Sequence, residues 1–345
     1  MAEVLSREFR LKKRPTGMPE ESDFELAEVR VPEPGEGEVL VRNIYMSVDP
    51  YMRGRMNDTL SYVPSFELSK PLEGGCVGQV VESKMDGFQT GDYVLGTRGW
   101  REAYLSDGSD LTIIDPRIGP IQAYLGILGM PGMTAYVGLL DIGRPKPGQN
   151  VLVSAASGAV GSAVCQIARI KGCNVVGSAG SDEKLSWLLD AAKIDGAINY
   201  RRAQDLSAEI GKLFPEGIDI YFEGVGGKHL EAALENMKPC GRIVLCGMIS
   251  QYNATRREPG PSNLFLAITK SLTLKGFIVS DHMDRWARFH ADMGNWIKEG
   301  RVKWKETIVE GIENAPKAFI GLFRGENFGK MLVKTGPEDL GTRNG

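Results

Sequence analysis

A short apolar run, a turn of small residues and an amphipathic helix follow one another between Val151 and Lys184, and no other stretch limits the fold of this chain as much. Val151-Leu152-Val153 reads as a buried strand. The turn Ala155-Ala156-Ser157-Gly158-Ala159-Val160-Gly161 comes next. Val160, Ala163, Val164, Ile167 and Ala168 then recur at the spacing of one helix face. Gly172 ends that helix, and Asn174-Val175-Val176-Gly177 opens a second strand. The order predicts a βαβ unit whose turn lies where strand becomes helix.

The turn has a chemical meaning. Amides at a helix N-terminus lack partners and carry partial positive charge. A pyrophosphate reaches them only where side chains are small enough for the backbone to come close. Gly158 and Gly161 match the second and third glycines of G-x-G-x-x-G, and Ala156 stands in the first place. The alanine weakens the bare motif; the strand–turn–helix–strand context restores it. An NAD site carries Asp or Glu at the end of the second strand, about 20 residues on, for the ribose 2′-hydroxyl. Here Val175 to Ser181 holds no acid, and Ala179 already lies 21 residues past Gly158. Asp182 and Glu183 fall in the first turn of the next helix, followed by Lys184. A small polar loop with a lysine suits a 2′-phosphate and predicts NADP(H), although the spacing also suits an ordinary solvated lysine.

Length and charge bound the rest. With 345 residues the chain has room for about two domains. A net charge of −3 without a basic block points away from nucleic acid and from anionic membranes. No apolar run approaches the ~20 residues of a membrane span. The first residues, Met1 to Pro15, lack the apolar core of a signal peptide, so the cytoplasm is the expected location. Cys76, Cys165, Cys173, Cys240 and Cys246 are odd in number with no C-x-x-C pair, which suggests neither a disulfide frame nor a zinc knuckle. His229, His282 and His290 are scattered, and no metal site is expected.

Residues 1 to about 125 read as β-rich. Strand-like runs at Phe24–Val31, Glu38–Ser47, Gly78–Glu82, Asp92–Gly96 and Trp100–Ser106 are separated by Pro and Gly clusters, as in a barrel or sandwich. A helix is expected over Met133–Leu140, stopped by Asp141-Ile142-Gly143. After the glycine turn, βα alternation continues. Strands are expected at Ala197–Tyr200, Ile218–Phe222, Gly241–Cys246 and Leu272–Val279, and helices at Ala203–Phe214, Gly227–Met237 and Met283–Glu299. Trp286, Phe289, Met293, Trp296 and Ile297 form a core stripe on the last helix. The fold class is α/β, with a doubly wound parallel sheet. The tail turns strand-like again at Lys330–Val333 and frays from about Gly336.

Four strings go further: Met46 to Met56 (MSVDPYMRGRM), Gly129 to Tyr136 (GMPGMTAY), Cys246 to Asn253 (CGMISQYN) and Gly325 to Lys330 (GENFGK). In this order they resemble the zinc-independent branch of the medium-chain dehydrogenase/reductase superfamily that contains prostaglandin reductases, plant alkenal reductases and bacterial curcumin reductases. The resemblance implies a GroES-like β-barrel domain (residues 1–128 and 304–345) beside a Rossmann NADPH-binding domain (129–303). Zinc alcohol dehydrogenases need a Cys early in the first domain and a Gly-His-Glu string soon after. Here Ser47 and Glu73-Gly74-Gly75-Cys76 stand near those places.

The resemblance also assigns roles. Gly158, Ala159, Val160 and Gly161 would line the pyrophosphate. Lys184 and Tyr200, with Gly180 and Ser181 beside them, would hold the 2′-phosphate. Cys246, Gly247, Met248, Ile249 and Ser250 would run under the nicotinamide ribose. Phe277, Ile278 and Val279 would offer backbone to the carboxamide, and Asn327 would reach the cofactor from the tail. Gly224 stands where the family carries Asn. Tyr252 would hold the substrate oxygen, against the alternative of a loop tyrosine that only packs. Tyr51 would close the pocket, against the alternative of a barrel-core tyrosine. The implied activity is NADPH-dependent reduction of the C=C bond of a small conjugated carbonyl, by a homodimer. A quinone reductase and a non-catalytic NADPH-binding protein are the rivals.

Overall fold

The computed structural model describes residues 3–256 and 258–338. The chain forms two compact units. One comprises Met1–Leu125, Glu306–Asn327 and Met331–Gly345; the other comprises Gly126–Lys305 and Phe328–Lys330.

The first unit is built from antiparallel strands. β1 (Val4–Leu11) and β2 (Phe24–Val31) pair as a two-stranded ribbon. β3 (Val39–Ser47), β4 (Cys76–Ser83), β5 (Tyr93–Gly96), β6 (Ala103–Ser106) and β7 (Thr112–Ile113) belong to a seven-stranded sheet. Its core is aromatic: Trp100 stacks on Phe24 at 5.8 Å, and Phe319 meets Trp100 edge-on at 6.1 Å. Phe319 lies on the helix Ala315–Arg324, which the sequence pattern did not reveal.

The second unit holds six parallel strands: β8 (Asn150–Val153), β9 (Asn174–Ala179), β10 (Gly196–Asn199), β11 (Ile218–Glu223), β12 (Met237–Leu245) and β13 (Thr273–Gly276). Their order is β10-β9-β8-β11-β12-β13. In chain order this is 3-2-1-4-5-6, the doubly wound Rossmann arrangement. The tail supplies β14 (Glu306–Glu310) and β15 (Lys330–Lys334), and β15 pairs with β3 with Leu332 opposite Ser47. The tail strand therefore returns to the first sheet, as its pattern predicts.

Several boundaries differ from the sequence pattern for identifiable reasons. β1 was invisible because its buried face includes Ser6 and Glu8; the Ser6 hydroxyl exchanges hydrogen bonds with the Ala103 backbone, and Glu8 pairs with Arg10. The helix expected from Met133 begins at Met130, with Pro131 in its first turn where no amide partner is needed. It runs on as a π-turn over Gly138–Gly143 instead of stopping at Asp141. The helix expected from Met283 is a 3₁₀ turn to Arg285, and becomes α-helical only over Trp286–Lys298. Of its stripe, Phe289, Met293 and Trp296 are buried, while Trp286 and Ile297 are partly so. The fraying expected from Gly336 falls mainly on residues 339–345, outside the described residues.

Candidate functional site

All six strands of the second unit are parallel, so their C-terminal ends share one edge. Just past those ends lie the glycine turn after β8, Gly180 and Ser181 after β9, Tyr200 after β10, Glu223–Gly227 at and beyond the end of β11, Cys246–Tyr252 after β12, and Phe277–Val279 after β13. Strand order reverses between β8 and β11, which is where such sheets open a ligand crevice.

The turn after β8 is held by Ala155 in the left-handed region (φ 48°), whose carbonyl accepts from the Gly158 amide at 2.9 Å. Gly158 caps the helix Ala159–Ile170, so Ala159, Val160 and Gly161 present its first-turn amides. A carbon added to Gly161 would lie 2.4 Å from the Ala155 oxygen, and one added to Gly158 would lie 3.2 Å from it. The turn therefore has no room for side chains at Gly161 and little at Gly158. The departure at Ala156 has a local cause. Its methyl stands where a carbon on Gly177 of β9 would come within 2.6 Å, so the missing glycine is supplied from the neighbouring strand. The returning segment Phe328–Lys330 lies along the same turn: the Gly329 amide donates to the Ser157 carbonyl at 2.9 Å, and the Phe328 ring meets Trp187 at 5.7 Å. Asn327 immediately precedes that segment.

The end of β9 brings Ser181, Lys184 and Arg201 around Gly180. The Ser181 hydroxyl accepts the Lys184 amide at 3.4 Å and so caps the helix Asp182–Asp190. Lys184 is half-buried, and burial together with the facing charge of Arg201 lowers its pKa. A carbon added to Gly180 would lie 3.0 Å from the Tyr200 hydroxyl and 3.1 Å from Arg201 Nε. Two cations that repel each other beside a bare glycine favour an anion at that place. Asp182, the first acid after β9, is turned to protein partners: Arg202 at 2.6 Å and Asn199 at 2.7 Å. Arg201 was missed in the sequence; its only signal was its place directly after Tyr200 at the end of a strand.

The loop after β12 is laced to the loop after β11. Cys246 and Gly247 donate to the Glu223 carbonyl at 2.9 and 3.2 Å, Ile249 to Gly224 at 3.2 Å, and Ser250 to Val225 at 3.1 Å. The Tyr252 phenol oxygen accepts the Met248 amide at 3.3 Å above Gly247. Burial raises the Tyr252 pKa, with the Met248 amide opposing it, so the phenol stays protonated and keeps its O–H to donate. Burial pushes the Cys246 thiol up to about 12, which keeps it out of thiolate chemistry. Glu223 is buried, and its Oε1 accepts from the Ser154 hydroxyl at 3.0 Å and the Val225 amide at 2.6 Å. A carbon added to Gly224 meets nothing closer than 3.9 Å, so the side chain is missing there but the room for one is not. The Phe277 ring packs on Gly138, and Ile278 and Val279 are half-buried where the 3₁₀ turn begins.

In the first unit, Tyr51 lines a cavity of about 470 Å³ with Arg55, Phe66 and Glu73. Burial and the nearby Asp49 raise its pKa. It also packs on the buried core. Arg55 is 2.7 Å from Glu73 and lies 4.1 Å over the Phe66 ring. The Ser47 hydroxyl bonds the Asp49 carboxylate. Cys76 faces the Tyr104 hydroxyl at 3.8 Å, and burial pushes its thiol up to about 12. Among the described residues, no group of three or more His, Cys, Asp or Glu is placed to hold a metal ion.

Residues 7–114 match the family described as the N-terminal domain of oxidoreductase, and residues 159–298 match the family described as zinc-binding dehydrogenase. A 2-alkenal reductase (NADP(+)-dependent) of Nicotiana tabacum is 47% identical over 97% of this chain and 99% of its own. The NADPH-dependent curcumin reductase of Escherichia coli is 44% identical over 97% and 98%. The chain belongs to the medium-chain dehydrogenase/reductase superfamily. Within that superfamily it falls in the branch that its four strings indicated. Near the places where zinc enzymes of the superfamily carry Cys and a Gly-His-Glu string, the Ser47 hydroxyl bonds Asp49 and the Cys76 thiol faces Tyr104. Among solved members, CurA of Vibrio vulnificus in complex with NADPH aligns with a TM-score of 0.91 at 43% identity, covering 96% of this chain and 99% of that one.

Proposed function

We propose that this protein is an NADPH-dependent reductase of the C=C bond in α,β-unsaturated ketones and aldehydes. The observation that carries the chemistry is Tyr252: its oxygen is occupied by the Met248 amide, and its proton remains available to an acceptor. The alkenal and curcumin reductases above, each named for NADP(H), support the reaction class and the cofactor.

Gly158, Ala159, Val160 and Gly161 hold the pyrophosphate by backbone amides. Gly180, Ser181, Lys184 and Tyr200, joined by Arg201, hold the 2′-phosphate. Cys246 to Ser250 support the nicotinamide ribose, Phe277 to Val279 the carboxamide, and Asn327 meets the cofactor from the tail. When bound, NADPH supplies the hydride that the substrate accepts at its β-carbon. Tyr252 donates a hydrogen bond to the carbonyl oxygen, where negative charge develops as the enolate forms, and a proton taken up from solvent at the α-carbon completes the saturated carbonyl. A conjugated alkene disperses that charge, so a phenol serves where a simple carbonyl would call for a Lewis acid.

The protein works as a homodimer in the cytoplasm. Edge strand β13 is largely exposed, and Phe265 and Ile268 before it are 60% and 82% exposed, an apolar edge of the kind a second copy covers. All five cysteines are free, which suits a reducing compartment.

The test follows NADPH fluorescence in purified protein given a short alkenal, a 15-oxo lipid, curcumin, a quinone or no acceptor. Oxidation with the conjugated carbonyls, yielding the saturated carbonyl, is expected. Oxidation by the quinone alone, or binding without oxidation, would overturn the reading.

A further inference from the structure

His229 lies just beyond the loop that follows β11. Gly226 and Gly227, both left-handed (φ 80° and 53°), bend the chain out of β11 and into the helix Lys228–Asn236. The bend brings the second helical residue, His229, against Tyr200. The two rings meet edge-to-face, with centroids 5.0 Å apart and planes at 71°. The contact matters because Tyr200 is otherwise an open residue at the end of β10, 36% exposed. Its hydroxyl is nevertheless directed over Gly180, where an added carbon would lie 3.0 Å away. Arg201 lies over the same ring at 6.0 Å.

A ring that must hold its hydroxyl above a glycine while half in water needs a partner to remove its rotamer freedom. His229 provides one. Its Nε2 is buried with no hydrogen-bond partner, and burial lowers its pKa to about 4. The imidazole is therefore neutral at pH 7 and meets Tyr200 as an aromatic surface. It adds no third positive charge beside Lys184 and Arg201.

We propose that His229 is a positioning residue of the 2′-phosphate subsite: its imidazole braces the Tyr200 ring beside Gly180 and thereby raises selectivity for the phosphorylated cofactor. The proposal rests on the reading of Tyr200 and Lys184 as 2′-phosphate contacts. A brace of this kind is worth what an aromatic pair is worth, about a 2- to 12-fold change in dissociation constant.

The experiment titrates NADPH and NADH into the full chain by fluorescence, with the thermal midpoint of each cofactor-free variant as a check on folding. His229→Ala should weaken NADPH by that factor and leave NADH unchanged, while His229→Phe, which keeps a ring at the contact, should restore NADPH binding. An unchanged NADPH-to-NADH ratio in His229→Ala, with the ratio lowered in Lys184→Ala and Tyr200→Ala, would overturn the brace alone. A ratio unchanged in all three would overturn the subsite reading beneath it. His229→Phe binding as weakly as His229→Ala at a native midpoint would also overturn the brace. Should His229→Ala not fold, His229→Asn takes its place with the same expected loss.

Discussion

Tyr252 and Lys184 pose opposite problems of charge. Tyr252 must keep a proton, and burial lifts its pKa above the ordinary phenol value of 10.0. A folded pKa raised in this way leaves the donor form intact below pH 10, so no alkaline loss of kcat from this group is expected at pH 7 to 9. Tyr252→Phe should lower kcat about 100- to 1,000-fold with little change in cofactor affinity, the usual scale for one electrostatic donor. Unchanged turnover would remove the hydroxyl from the chemistry. Lys184 must keep a charge although burial and Arg201 both oppose it. A 2′-phosphate relieves that repulsion, so Lys184→Ala and Arg201→Ala should each weaken NADPH about 10- to 100-fold, and NADH far less. Equal losses for both cofactors would refute the assignment. At this scale the sequence was legible where a residue belongs to a local pattern, as with Gly158 at the cap of its helix. It was silent where meaning arises from a meeting in space. Arg201 looked like one of many surface arginines until Gly180 and Lys184 stood beside it, and His229 looked like one of three scattered histidines.

Among the elements, the strand–turn–helix of β8 was the most legible because helix periodicity and a small-residue turn coincide there. Its one irregularity, Ala156, makes sense only through β9. Gly177→Ala should cost about 1–3 kcal/mol by overpacking against the Ala156 methyl. Adding Ala156→Gly to the same chain should recover much of the loss, since the two carbons compete for one space. Additive effects of the two changes in thermal or denaturant unfolding would show that the contact is not what matters. Glu223, at the end of β11, offers a second check. Burial raises its pKa above the ordinary 4.5. Its contribution to stability is thus fully present below pH 4.5 and is lost as pH rises through the raised folded value. Glu223→Gln keeps an acceptor for Ser154 and Val225 without a charge. The wild type should therefore lose more thermal stability than the variant as pH rises above 4.5, and parallel pH profiles would contradict this. β1 was hidden for a related reason: Ser6 and Glu8 are buried polar residues satisfied by distant partners, and no local pattern reports such partners.

On the scale of the whole molecule, the chain's order says that a β-rich part precedes an α/β part, and the family resemblance says that the tail goes back. It does not say that three residues, Phe328–Lys330, stay with the dinucleotide-binding unit while their neighbours on both sides belong to the other. That detail depends on Gly329, which is left-handed (φ 69°) and so close to the Lys305 carbonyl that an added carbon would lie 1.8 Å from it. The Gly329 amide also holds the Ser157 carbonyl of the glycine turn. Cofactor binding should therefore report on the tail as well as on the sheet. A ligand that binds only the native state at 100 times its dissociation constant adds about 2.7 kcal/mol, or about 5 to 10 °C in midpoint for a domain of this size. NADPH should give a shift of that order, and NADH at the same concentration much less. Gly329→Ala should shrink the NADPH shift beyond any loss of its own basal stability, because the bridge to Ser157 is part of what the turn offers the pyrophosphate. A full NADPH shift in a destabilised Gly329→Ala protein would mean that the tail contributes to the fold and nothing to the cofactor site.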